Sequence, residues 1–150
     1  MLISGRRLGL DYGDARIGVS ISDPTAMLAS PLMTIKKAEL HNHIDEVCSL
    51  VRQHDVAVVY IGLPLHLSGN EGDSALKARK FADALQKKIG IEVQIRLVDE
   101  RLTTTSAQRQ ARESGNRLSK ENVDQWAAVA ILENALHKER SSGELAGVAV

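Results

Sequence analysis

The stretch "RLGLDYGDARIGVSISD", residues 7–23, decides how the rest of the chain is read. Leu8 and Leu10, then Ile17, Val19 and Ile21, recur at the two-residue period of strands, and "YGDA" between them has the composition of a turn. A β-hairpin is expected. Asp11 interrupts the pattern. It ends the first strand with Gly9 and Gly13 two residues to either side, and neither Asp nor Gly is a good strand residue. Glycines there would clear space for an ion or a phosphate to approach the acid, although the turn alone explains Gly13 nearly as well.

Outward from the hairpin, residues 32–35 form a third strand with Pro31 near its start. Residues 39–54 carry Leu40, Ile44, Val47, Cys48 and Val51 at helical spacing. "VAVVYIG", residues 56–62, is a near-continuous apolar run, as in a strand covered on both faces. After the breaker-rich "LPLHLSGNEGD" comes a helix over about 73–88, with Leu76, Phe81, Ala84 and Leu85 as its apolar positions. Residues 91–98 make a further strand. One of Thr103 to Thr105 caps a helix that Gly115 ends, and Ser119 caps a last helix reaching about residue 137. Three meandering strands followed by βα units predict an α/β domain over 1–138. Its mixed five-stranded sheet would carry helices on both faces, and residues 139–150 would form a frayed tail.

The bulk composition limits the function classes. A 150-residue chain with 43% hydrophobic and 25% charged residues is an ordinary globular domain. Its formal net charge is zero, so any polyanion would have to be held by a local basic face. Arg101, Arg109, Arg112, Arg117 and Lys120 form one such stretch, and Lys77, Arg79, Lys80, Lys87 and Lys88 another. For any single cluster, a solvated helix face is the simpler account. Cys48 is the only cysteine, which excludes an internal disulfide or a cysteine metal cluster, and its helical neighbours point to core packing. No apolar run has the length of a membrane helix, and Arg6–Arg7 is not followed by a signal segment, so a cytoplasmic protein with no membrane partner is expected.

Three acidic positions stand where elements end. Asp11 closes the first strand, Asp99 and Glu100 close the last, and Asp124 lies one turn into the final helix. There it shares a face with Ala128, Ile131 and Ala135. Carboxylates gathered in one place repel and raise each other's pKa values unless a cation joins them. Hard divalent ions such as Mg²⁺ or Mn²⁺ suit such oxygen ligands. Two of them about 3.5–4 Å apart can activate water and stabilise a leaving oxygen in phosphodiester cleavage. Taken singly, each acid has a bland account as turn, ion pair or helix-start charge. Strand alternation groups Asp99 with Leu97 and Ile95, and Glu100 with Val98 and Arg96, without saying which face matters.

Four segments, "GLDYGDARIGVSISD", "GLPLHLSGNEG", "VDERLTTTSA" and "NVDQWAAVAIL", resemble in order and spacing the YqgF/RuvX family of the RNase H-like superfamily, over residues 5–138. The resemblance implies an RNase H-like fold and a metal-dependent endonuclease. Members are described as Holliday-junction-resolvase-like nucleases or as nucleases maturing the 5′ end of pre-16S rRNA. It implies Mg²⁺ or Mn²⁺ held by the catalytic acids Asp11, Glu100 and Asp124. Structured RNA, branched DNA and ribosomal precursor particles are the implied partners of a monomer or weak homodimer. Arg16, Arg101, Arg109, Arg112 and Arg117 are the candidate substrate contacts. Junction resolvases carry a further acid in the final helix, but three residues after Asp124 this chain has Ala127, with Glu121 three residues before. A non-catalytic RNA-binding assembly factor is the alternative that this departure motivates. "LDYGDARIGVS" also resembles the first phosphate motif of actin-like ATPases, which close two such domains over a nucleotide. The glycines of "GLPLHLSGNEG" lack the Gly-Lys-Ser/Thr ending of a P-loop, so an ordinary connection is the simpler account.

Overall fold

A computed structural model describes residues 3–37, 42–65, 68–100 and 120–150. Within them run β1 (Arg6–Tyr12), β2 (Arg16–Ser22), β3 (Ala29–Lys36), α1 (His43–Gln53), β4 (Val56–Leu63), α2 (Asp73–Ile89), β5 (Gln94–Asp99), α3 (Lys120–Ser142) and β6 (Val148–Ala149). The helix expected after Thr103–Thr105 and the cap at Ser119 lie outside the described residues.

The strands form one sheet in the order β3-β2-β1-β4-β5-β6. β1 pairs antiparallel with β2, and β2 with β3, whereas β1 with β4 and β4 with β5 are parallel. Mixed pairing follows from the connections: short turns permit antiparallel neighbours, while parallel ones need a crossover such as α1 or α2. The central β4 has nearly every side chain buried, which is why its sequence is apolar without alternation.

Side-chain alternation divides the sheet into two faces. Leu8, Leu10, Ile17, Val19, Val59, Ile61, Ile95 and Leu97 face α1 and α2 in the larger core. Val58, Tyr60 and Val98 face the other way and pack on Ile131, Leu132, Ala135 and Leu136 of α3. Helices therefore cover both faces, as expected. In α2 the buried stripe is Ala75, Ala78, Phe81, Ala82 and Leu85, while Leu76 is 53% exposed. The stripe follows i, i+3, i+4 spacing from Ala75, and that phase turns Leu76 outward.

β2 shows why α3 lies where it does. Its second set of alternating positions is small: Gly18, Ser20 and Ser22. Ser20 Oγ donates to the Ala128 carbonyl at 2.7 Å. A Cβ on Gly9 would stand 2.8 Å from Leu132 Cβ and 2.9 Å from the Ala128 oxygen, and one on Gly18 would collide with the Asp124 carbonyl. The glycines let the helix backbone rest on the strands. Gly9 therefore makes room for α3, a correction to its expected role beside an ion. Gly13 serves the turn, its N–H donating to the Arg16 carbonyl at 2.9 Å.

The C-terminal stretch also differs from the expected tail. α3 continues to Ser142, and Glu139 and Ala146 are buried. β6 pairs antiparallel with β5 through Arg96↔Ala149 and Leu97↔Val148, giving six strands instead of five. Arg96 anchors the chain by donating to the Ala146 carbonyl at 2.5 Å and the Gly147 carbonyl at 2.8 Å. The segment has no periodic pattern because it is held mainly through its backbone, which sequence does not display.

Candidate active site

The parallel strands β1, β4 and β5 end on the same side of the sheet, and Asp11 and Glu100 stand at that end. Glu100 follows β5 directly, its N–H donating to the Leu63 carbonyl at 3.3 Å. Alternation sets Glu100 with Val98, on the α3 face, and Asp99 with Leu97, on the α1–α2 face. Asp11 has the parity of Arg7 and Gly9, which also face α3. Glu100 is therefore the acid at the end of β5 that meets Asp11. Gly62 of β4 lies between these strands: a Cβ there would stand 2.5 Å from Ile131 Cδ1 and 3.2 Å from Glu100 Cδ. A glycine near the end of an apolar strand was the sequence signal for this close approach.

The two carboxyl groups share a hydrogen bond. Burial raises Asp11 above the usual carboxylate range, the bond from Glu100 opposes that rise, and the charge of Asp124 adds to it. Burial likewise pushes Glu100 up to about 8, reinforced by the charge of Asp11, by their shared bond and by Asp99. Both groups are therefore held above the ordinary carboxylate range, with burial the leading cause for each.

Asp124 reaches the same end from α3 but is engaged elsewhere. Arg16 Nε, on β2, donates to Asp124 Oδ2 at 2.6 Å. Among the described residues, no three His, Cys, Asp or Glu side chains are gathered closely enough to hold a metal ion as they stand. The donor set nevertheless fits a hard divalent cation. It offers carboxylate oxygens only, and two of the carboxyls already meet in a buried place where neighbouring acidic charge raises each of them, which an ion could offset. The side chain of Glu121 lies outside the described residues, and Ala127 is partly buried on α3.

Of the candidate substrate contacts, Arg16 stands at the site, while Arg101, Arg109, Arg112 and Arg117 lie outside the described residues. The second basic stretch is largely neutralised: Lys77 pairs with Asp14 at 3.0 Å, Arg79 with Glu71 at 2.5 Å and Lys88 with Asp45 at 2.7 Å. Those side chains form a solvated face. Cys48 is 2% exposed and packed in the core, where burial pushes its thiol up, away from a reactive thiolate. No helix among the described residues is long and apolar enough to cross a membrane.

Residues outside the candidate acids and arginines hold the site in place. Gly18 and Ser20 fix the height of α3 over β2. Arg7, Tyr60 and Glu139 lock the far end of the same helix, with Tyr60 Oη donating to Glu139 Oε2 at 2.7 Å. The small alternating positions of "RIGVSIS" were the available signal for the first. For the second there was none, because Arg7 and Glu139 each look like an ordinary surface charge.

The model of a family described as "RuvX: Holliday junction resolvase" matches residues 5–138. A protein of Mycolicibacterium paratuberculosis, named as a candidate pre-16S rRNA nuclease, is 43% identical over 145 residues, covering 95% of this chain and 86% of the relative. A Streptomyces avermitilis protein with the same name is 43% identical over 148 residues, covering 97% and 94%. In three dimensions the chain is similar to Thermus thermophilus RuvC in complex with a Holliday junction substrate. The TM-score is 0.66 at 12% identity, over 97% of this chain and 99% of that one. The expected RNase H-like fold is the fold observed.

Proposed function

This chain belongs to the RuvX family, described as Holliday junction resolvases, and on that premise we propose that it is a divalent-metal-dependent nuclease hydrolysing phosphodiester bonds in 5′ end maturation of pre-16S rRNA. The names of its bacterial relatives support the substrate. The observation that carries the chemistry is the hydrogen-bonded pair of Asp11 and Glu100, with the charge of Asp124 bearing on Asp11.

Asp11, Glu100 and Asp124 are the residues that would hold Mg²⁺ or Mn²⁺. When bound, such an ion supplies activation of water and stabilisation of the leaving oxygen. Both buried carboxyls are held above the usual carboxylate range, so the pair must lose its proton before both groups can act as anions. Burial of the pair keeps these carboxyls ready to exchange that proton for a cation. Asp124 contributes from a helix that Gly18 lets lie close on the strand. Arg16, with Arg101, Arg109, Arg112 and Arg117, is the candidate contact for substrate phosphate.

A cleavage panel tests this reading: pre-rRNA 5′ leader fragments and four-way DNA junctions, each with Mg²⁺ or Mn²⁺, beside the Asp11→Asn variant. Cleavage of the leader that vanishes with Asp11→Asn is the expected result. Undiminished cleavage by well-folded Asp11→Asn would remove the catalytic assignment. The family description favours one other substrate, and preferential cutting of junctions would select it. Salt-sensitive RNA binding without hydrolysis of any substrate would identify an assembly factor instead.

A further inference from the structure

The contact between Arg16 and Asp124 ties one of the proposed metal ligands to a cation of the chain itself. The pair is 2.6 Å apart, and the two side chains are 31% and 19% exposed. Among the described residues, only Nε of the guanidinium is used. Among the described residues, its two terminal nitrogens make no hydrogen bond. Meanwhile Asp11 and Glu100 meet each other, so the three acids are divided into a pair and a third that Arg16 holds.

That division has a physical basis. Three carboxylates around one point repel, and a metal-free site must relieve the repulsion. The charge of Asp124 already bears on Asp11. Backbone retreat of α3 is not what relieves it, because the Asp124 carbonyl rests against Gly18. What remains is a counter-cation. An arginine is suited to this, because a guanidinium is more weakly hydrated than an ammonium and its planar fork matches a carboxylate.

Resting on the metal-site reading above, we propose that Arg16 is a positioning residue that holds Asp124 in the metal-free protein and competes with the divalent ion for that carboxylate. Arg16 and the ion cannot both have the same oxygens at full strength, so loading the site costs the ion pair. By linkage, metal occupancy loosens Arg16 from Asp124, and removal of Arg16 favours the metal. The guanidinium released in this way stands at the strand ends with its full fork available to phosphate.

The test is a calorimetric titration of Mn²⁺ into the full-length protein and a set of variants, which reads metal affinity without activity. Arg16→Ala is expected to bind Mn²⁺ about fivefold tighter than the unaltered protein, the scale of a partly exposed ion pair. Arg16→Gln, which keeps the side chain's length, should do the same if Arg16→Ala folds poorly, and Arg16→Lys should stay near the original affinity. In an Asp124→Asn background the Arg16 substitutions should have no effect, because the double-mutant cycle removes the partner. Unchanged or weaker binding by Arg16→Gln would overturn the inference, as would a tightening that persists without Asp124, which is a general field effect. Asp11→Asn separates the two levels. If Mn²⁺ binding to the unaltered protein is absent or indifferent to Asp11→Asn, the metal site itself is wrong and the inference falls with it. If binding depends on Asp11 but ignores Arg16, only the inference falls.

Discussion

Arg7 and Glu139 form an ion pair closed off from solvent, with Arg7 Nη2 2.8 Å from Glu139 Oε1 and side chains only 1% and 2% exposed. Every other group in the network is also engaged. Arg7 donates to the Gly5 and Ile3 carbonyls at 2.8 and 2.7 Å, and Tyr60 Oη donates to Glu139 while accepting the Ala146 N–H at 3.2 Å. The pair fixes the C-terminal half of α3 against β1 and β4, and so sets the register with which Asp124 arrives at the other end of the helix. Replacing one partner strands a buried charge. Glu139→Ala should therefore lose about 3–5 kcal/mol in urea unfolding. An apolar double replacement, Arg7→Met with Glu139→Leu, should recover most of it, and equal loss in both variants would refute the account.

The height of α3 over the sheet gives a second prediction. A methyl group on Gly18 meets the Asp124 backbone carbonyl, which no side-chain rotation can move. Gly18→Ala should cost about 3 kcal/mol, the upper range for overpacking, and should reduce Mn²⁺ affinity along with stability. Gly90→Ala is the contrast, because a methyl there meets nothing within 4 Å. It should lose stability through its left-handed backbone, φ 88°, yet keep Mn²⁺ affinity.

pH dependence follows from the acid pair. Glu100 titrates near 8 when folded against an ordinary value of 4.5, so the folded state holds the extra proton between those values. A raised carboxylate pKa gives stability that is full at low pH and lost as pH rises through the folded value. The Tm of the protein in EDTA should thus fall between about pH 5 and 8. Glu100→Gln should flatten that slope, and saturating Mg²⁺ should reverse it by favouring the deprotonated pair. Asp14, Asp23 and Glu71 shift downward, so their contribution is lost at acid pH, outside this window. A Tm that stays level in EDTA across the window would count against the shared proton.

The C-terminal segment should be worth more than a tail. Deleting residues 144–150 removes buried Ala146, the β6 pairing, the carbonyls that hold Arg96 and the N–H that satisfies Tyr60. The loss should be about 2–4 kcal/mol by thermal or urea unfolding. A stability unchanged by the deletion would show that the segment adds nothing.

Much of this is legible in the sequence. The hairpin followed from alternation around "YGDA", β4 from an unbroken apolar run, and the positions of Asp11 and Asp124 from their places at element ends. The choice between Asp99 and Glu100 was not legible from alternation, because both faces of β5 are covered and either parity could be the active one. Gly9 was misread for a related reason. A glycine beside an acid looks the same in sequence whether the space it leaves is taken by an ion or by the backbone of a helix distant in sequence.

Local patterns of period two and period 3.6 determined which segments became strands and helices, since these depend on residues near one another. Tertiary structure alone decided which acids meet, which cation holds Asp124, and that the last residues close the sheet's edge. Each of those is a contact between segments far apart in the chain. Its energy depends on burial and distance, and neither exists until the sheet and α3 have packed.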